Sequence, residues 1–276
     1  MPTDGKFNPE EVNNIWKLYL TTGELSDFLN VPWYQSKRFR ALYHRLPDNP
    51  RCRLCHAPFN GLGGTVMRQL FGFAPSRMNP QVCNLCEQFV HKFKGGAEIE
   101  VSVLFADVRG STQLAENMNP TDFSRLINRF YNAATKVLYN TNAMVEKLIG
   151  DAVTGFYVPG VAGPDHAQTA VSAAREILAA TGHHLPSGPW VPVGIGVHTG
   201  LAYVGAVISD SGVADIAVFG DTPNIGARLA AQASTGEIHI SQATAQAAGL
   251  AASGAEIRHQ TLKGRTEPVD VWVLSQ

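Results

Sequence analysis

Two aspartates stand where an apolar strand gives way to a turn. Asp107 follows the run Glu98 to Ala106, in Phe105-Ala106-Asp107-Val108-Arg109-Gly110, and Asp151 sits in Lys147-Leu148-Ile149-Gly150-Asp151. Two carboxylates held close repel unless a cation lies between them or one takes up a proton. Hard divalent cations such as Mg²⁺ or Mn²⁺ prefer a couple of carboxylates completed by phosphate oxygens. Farther along, Asn224 and Arg228 lie four residues apart. Thr222 and Pro223 read as the N-cap and first residue of a helix, which places the amide and the guanidinium on one face. An arginine so presented can stabilise negative charge that grows on a phosphate.

The four cysteines, Cys52, Cys55, Cys83 and Cys86, form two Cys-x₂-Cys pairs with 27 residues between them. Two such knuckles supply four thiolates, the donor set of a tetrahedral structural zinc ion. A four-cysteine iron–sulfur cluster is the second choice. Cys52-Arg53-Leu54-Cys55-His56 also has the form of a c-type haem attachment, but that chemistry needs export to an oxidising compartment. A module this small buries little apolar area, so bound metal would supply its folding energy. Lys37, Arg38, Arg40, Arg45, Arg51 and Arg53 make a basic stretch that suits phosphate, the footprint of a nucleic-acid binder. Against that reading, the net charge is −1 and the pI about 6.7, so nucleic acid is not the expected partner. The module is read instead as a structural clip for the N-terminal helices.

Positioning these groups requires a folded scaffold, and 276 residues with 45% hydrophobic and 16% charged side chains are enough for one large domain and a smaller one. No apolar run nears the roughly 18 to 20 residues that cross a bilayer, and the N-terminus lacks the plan of a secretory signal. A cytoplasmic location follows as the expectation. Asn8-Pro9-Glu10-Glu11 starts a helix with a capping box. Gly61 to Gly64 reads as a turn, and Gly95-Gly96 as a boundary. After it come a strand at 98–106, a helix at 120–140, a hairpin of Met144–Ile149 and Ala152–Val158 turning on Gly150-Asp151, a helix at 164–180, and strands at 191–198 and 201–207. Small residues near 226–255 read as helical. The fold class is α+β, a ferredoxin-like βαββαβ core with additions, preceded by a small helical and zinc-ribbon-like module. The expected boundaries are 1–50 for a helical segment, 51–96 for the metal module and 97–276 for the catalytic domain.

Five motifs in order, FADVRGST (105–112), EKLIGD (146–151), VGIGVHTG (193–200), FGDTPNIGAR (219–228) and LKGRTEPVDVW (262–272), resemble class III adenylyl/guanylyl cyclase catalytic domains. The resemblance implies that Asp107 and Asp151 bind two divalent ions, that Asn224 positions the ribose, and that Arg228 stabilises the transition state. It also implies that Lys263, with Arg265 as a second cation, holds the β- and γ-phosphates. Lys147 matches the lysine that reads adenine in adenylyl cyclases, where guanylyl cyclases carry glutamate. The second base-reading position falls on Ala217, which can neither donate nor accept. The implied activity is conversion of a nucleoside triphosphate, ATP first, to its 3′,5′-cyclic monophosphate (cAMP) at a homodimer interface. Cyclic pyrimidine products (cUMP or cCMP) are the alternative, and a catalytically inactive nucleotide-binding module a further one. His198-Thr199-Gly200 is similar to the family's HTG turn and is read as structural.

Overall fold

A computed structural model describes residues 7–23, 50–52, 54–77, 79–208, 214–251, 256–260 and 269–275. Lys37 to Arg45, Arg53, Lys263 and Arg265 lie outside the described residues. The chain divides into two compact units. One comprises Met1–Ile99, Pro159–Val161 and Tyr203–Phe219; the other comprises Glu100–Val158, Ala162–Ala202 and Gly220–Gln276.

In the first unit, α1 (Pro9–Thr22) opens on the capping box: Glu11 N donates to Asn8 Oδ1 and Asn8 N to Glu11 Oε2, each at 2.8 Å. Two backbone donors that the helix leaves unpaired are thereby satisfied. Val12, Ile15, Trp16, Tyr19 and Leu20 form its buried face. The run Gly61 to Gly64, expected as a turn, instead opens α2 (Gly61–Phe71). Gly63, Gly64 and Met67 form its buried face, and Gly64 lies so close to the preceding chain that a Cβ there would stand 2.3 Å from the Phe59 carbonyl carbon. The third helix, α3 (Asn84–Lys92), begins at Cys83.

The second unit carries β1 (Gly96–Val108), α4 (Ser111–Asn117), α5 (Pro120–Asn140), β2 (Met144–Ile149), β3 (Ala152–Tyr157), α6 (Pro159–Ala162), α7 (His166–Ala180) and β4 (Val193–Ile208), with the ends of β1 and β4 and most of α6 belonging to the first unit. This is the βαββαβ order. Its strands lie side by side as β2-β3-β1-β4, with β3 antiparallel to β1 and β2. The additions are β5 (Ala214–Phe219), α8 (Asp221–Gln232), β6 (Glu237–Ser241), α9 (Gln242–Ala247), β7 (Glu256–Gln260) and β8 (Val269–Ser275). β6 pairs with β4 in parallel, β8 with β6, and β7 with β8, while β5 pairs with β4 in the first unit. Phe130 and Leu138 of α5 and Val171 and Ile177 of α7 share one core with Leu104, Val153, Ile195 and Val197 of the sheet.

Two local expectations are corrected. The strands expected at 191–198 and 201–207 are one strand of 16 residues, β4, running straight through Thr199 and Gly200. Gly200 there serves contact rather than a turn, since a Cβ would meet Thr222 Oγ1 at 2.9 Å. The small-residue stretch 226–255 is interrupted by β6, because Ile238 and Ile240 gain burial by pairing with Ile195 and Val197. Long-range burial overrides local composition. No helix among the described residues is long and apolar enough to cross a membrane.

Candidate active site and metal centre

Pairing of β1 with β3 places Asp107 opposite Ala152, and Ile149 pairs with that same Ala152 across the hairpin. Asp151 therefore occupies a two-residue turn directly beside the end of β1. Gly150, at φ 62°, supplies the left-handed residue at the first turn position, where a side chain would be strained. Val108 N donates to Asp151 O at 3.1 Å, and Tyr131 Oη donates to Gly150 O at 2.7 Å, so the turn is tied from two sides.

The Asp107 side chain is one-third exposed, at 33%. Burial pushes its carboxyl above the usual carboxylate range, Asp151 adds to the rise, and Arg109 opposes it. Burial and the neighbouring Asp151 also raise the Tyr131 phenol. Asp151 thus disfavours the charge on Asp107, and the site offers the carboxylate donor set that a hard cation neutralises. Arg109 Nη2 pairs with Asp107 Oδ1, while its Nη1 donates to Ala231 O at 3.1 Å. Sequence reasoning assigned Arg109 no role. The signal was its spacing, two residues beyond Asp107 at the end of a strand, where i and i+2 share a face.

Helix α8 carries Asn224 and Arg228, and its buried face is Ile225, Gly226, Leu229 and Ala230. Gly226 lets it approach β1 closely, since a Cβ would lie 2.7 Å from Val103 Cγ2 and 2.9 Å from Phe105 Cε2. Asn224 is exposed and donates from Nδ2 to Gly220 O at 3.1 Å. Arg228 is half-buried, and among the described residues it has no ion-pair partner. The expected helix start is corrected. Gly220, at φ 123°, is the N-cap, and Thr222 lies inside the first turn with its hydroxyl donating to Leu201 O at 2.6 Å. Pro223 remains compatible because first-turn N–H groups have no acceptor within the helix.

His198 and Thr199 belong to two separate hydrogen-bonded groups. His198 Nδ1 lies 2.7 Å from Ser241 Oγ, Thr199 Oγ1 2.8 Å from Ser102 Oγ, and Ser102 Oγ 2.9 Å from His166 Nδ1. Burial holds the His166 imidazole below its ordinary range, so near neutral pH it acts as a neutral hydrogen-bonding group.

Lys147 pairs with Thr154 in the β2–β3 hairpin, next to a register shift at Val145/Lys147. In the first unit, Ala217 is buried in β5 and faces Gly205 across an unbroken register.

The sulfurs of Cys52, Cys55, Cys83 and Cys86 all lie within 4.8 Å of one another. A tetrahedron with metal–sulfur bonds of about 2.3 Å sets its sulfurs about 3.8 Å apart, and Cys55 Sγ and Cys83 Sγ are 3.7 Å apart. Cys83 N lies 3.2 Å from Cys52 Sγ and Cys86 N 3.4 Å from Cys83 Sγ, the backbone N–H donors that steady a thiolate. Contacts with the Cys52 and Cys55 sulfurs, then burial, hold the Cys83 and Cys86 thiols well above their ordinary range. Four crowded sulfurs of this kind become thiolates together when a cation shares them. The cluster fits a metal ion.

Residues 96–275 match the family model of the adenylate and guanylate cyclase catalytic domain. The chain is 29% identical over 181 residues to guanylate cyclase 2G of Mus musculus, covering 63% of this chain and 16% of that protein. It is 33% identical over 144 residues to an adenylate cyclase of Mycobacterium tuberculosis, covering 51% of this chain and 32% of that one. Among solved structures, the guanylyl cyclase Cya2 superposes with a TM-score of 0.58 at 25% identity, over 65% of this chain and 93% of that chain. The adenylyl cyclase CyaB from P. aeruginosa superposes at 0.56 and 24% identity, over 66% and 96%, a likeness of fold. With its fold, its aspartate pair and this match, the chain belongs to the adenylate and guanylate cyclase catalytic domain family. It spans well under two-thirds of the length of the curated relatives it matches.

Proposed function

We propose that the protein is a class III nucleotide cyclase that converts a nucleoside triphosphate, ATP first, to its 3′,5′-cyclic monophosphate and pyrophosphate at a site shared by two copies of the chain. The observation that carries this reading is the juxtaposition of Asp107 and Asp151, set side by side by the β1–β3 register, with Asp151 helping to raise the Asp107 carboxyl. These two carboxylates would hold divalent cations, Mg²⁺ or Mn²⁺. When bound, such ions supply Lewis-acid charge at the triphosphate and lower the pKa of the attacking hydroxyl.

The chain's own residues do the rest. Asn224, held to Gly220 O, presents its amide oxygen to the ribose and so orients the 3′-hydroxyl. Arg228, without an ion-pair partner among the described residues, keeps its guanidinium available for charge that grows on the α-phosphate. Lys147 reads the base, and Lys263 with Arg265 holds the terminal phosphates. In the family resemblance the aspartates of one copy face Lys147, Asn224 and Arg228 of the other, and this is why a homodimer is proposed. The family match over 96–275 supports reading residues 97–276 as the catalytic domain, preceded by a metal module at 51–96 and a helical segment at 1–50. Zinc is the ion proposed for the cysteines, whose sulfur spacing suits tetrahedral thiolate ligation. A cytoplasmic location remains part of the proposal.

A second reading concerns the base. Ala217 is buried and has no side-chain donor or acceptor, which favours a pyrimidine triphosphate that dispenses with this contact. Incubation with Mn²⁺ and each of ATP, GTP, CTP and UTP, with products identified by mass, decides among the readings. Cyclic AMP as main product supports the first, and cyclic UMP or CMP the second. No cyclic product from any of the four, with folded dimer, overturns the enzyme.

A further inference from the structure

We propose that the four-cysteine centre holds in place the strand that carries Ala217, so that metal occupancy of the cysteines sets how tightly the nucleotide base is bound. The inference rests on two readings above: zinc at the cysteines and Ala217 at the base.

Every step of the coupling lies within the first unit. Cys83 caps α3, and Cys86 lies in its first turn. The aromatic face of the same helix packs onto α1: the Phe89 ring lies tilted against Trp16 and Tyr19, with ring centroids 5.0 Å and 5.5 Å away, and Phe93 lies 5.2 Å from Phe89. Trp16 Nε1 donates to Phe93 O at 2.8 Å in a buried bond. Helix α3 also packs directly on β5.

Two residues after Phe93 the chain meets β4, main chain against main chain. Ala206 N donates to Gly95 O at 2.7 Å. A Cβ on Gly205 would lie 2.6 Å from Gly95 O and 2.8 Å from Gly96 Cα, and one on Gly96 would lie 2.4 Å from Val204 O. Three glycines therefore permit a main-chain approach, and the Tyr203 ring lies against it, 2.8 Å from where a Cβ on either Gly96 or Gly205 would stand. Gly205 is the cross-strand partner of Ala217, and Ala206 that of Ile216. A shift of α3 thus reaches the base-facing position through one backbone contact and one strand pair.

Metal occupancy governs α3 because the ligands come from two separate segments. Cys52 and Cys55 belong to the stretch before α2, and Cys83 and Cys86 to the start of α3. A shared cation clamps those segments together. Its removal leaves four crowded sulfurs, with two of the thiols in half-exposed positions, at the point from which α3 is anchored.

The test compares the wild-type protein, the same protein stripped by a thiol-competing chelator, Cys52→Ser/Cys86→Ser, and Gly205→Ala. Zinc content, hydrogen exchange of peptides spanning 203–208 and 214–219, and steady-state kinetics are measured on each. Zinc loss is expected to speed exchange in those peptides while β6 and β8 keep their protection. It should raise KM for the preferred nucleotide about tenfold with kcat changed less than about threefold, the mark of weakened uniform binding. Gly205→Ala should reproduce the KM and exchange changes with its zinc retained, as expected if the contact at Gly95 carries the displacement, while the chelator arm tests whether the cysteines are merely a structural clip. Stripped protein that keeps wild-type exchange and KM overturns the coupling, whether or not the cysteine variant folds. Protein that carries no zinc as purified overturns the metal reading on which the coupling rests, and the chelator arm distinguishes the two failures. Should no nucleotide be cyclised, the exchange measurements alone decide.

Discussion

The aspartate pair and the cysteine cluster are each a set of side chains able to donate to a cation and gathered by the fold, yet they are built in opposite ways. Asp107 and Asp151 sit on a strand end and a hairpin turn whose geometry is secured by the β1–β3 ladder and by Tyr131. Their frame rests on backbone pairing, Arg109 offsets part of the charge, and the Asp107 side chain stays one-third open to solvent. The cysteines sit on short segments, two of them, Cys52 and Cys83, fully buried. A site that must admit and release a triphosphate keeps open coordination on a preformed frame, whereas a site that holds structure closes its ligand shell around the ion.

Removing one ligand from each site is the sharpest way to break that contrast. Asp107→Ala or Asp151→Ala should lower cyclase turnover by about a thousandfold, roughly 4 kcal/mol of transition-state stabilisation, while circular dichroism and Tm stay near wild type. Near-native turnover with Mn²⁺ in either variant would remove the two-metal assignment. The shared site gives a second test. Asp107→Ala and Arg228→Ala, each inactive alone, should regain roughly a quarter of wild-type sites after free subunit exchange, because half the dimers are mixed and each has one intact site. No recovery despite verified exchange sinks the shared-site model.

The closed site should respond in the opposite sense, in stability before chemistry. Elemental analysis should find about one zinc per chain, and stripping it should lower Tm by about 5–10 °C, the scale of a 2–3 kcal/mol loss in a chain of this size. Iron with acid-labile sulfide in place of zinc would assign the cluster instead.

The smallest expected effect lies in a cluster that is neither site. Although burial pulls the Glu237 carboxyl upward, hydrogen bonds from Arg258, Ser234 N and His239 hold it down at about 2. A carboxylate depressed in the folded state stabilises the fold above its ordinary value of 4.5, and that contribution is lost as pH falls from there toward about 2. Glu237→Gln should therefore lower Tm at pH 7 by roughly 2–4 °C, about 1 kcal/mol, with the difference shrinking as pH drops below 4.5. A difference independent of pH would show that packing, not charge, holds this corner.

Much of the molecule could be read from local pattern. The capping box at Asn8 and Glu11, the long α5, and the hairpin on Gly150-Asp151 follow from spacing and turn chemistry, because each is decided by residues within a few positions of one another. The cysteine pairs, Asp107 and Asp151 were visible for the same reason: ligand types at characteristic spacings, or at the end of an apolar run. Other features were decided only when distant segments met. Glu237–Ser241 became a strand because β4 offered a parallel edge. Arg109 acquired Asp107 and the Ala231 carbonyl as partners, 122 residues separating Arg109 from the latter. Composition and spacing thus determined which residues can hold a cation and where the chain turns. Burial and backbone contact between remote strands decided how near the two carboxylates stand, and which glycines serve as turns and which as points of contact.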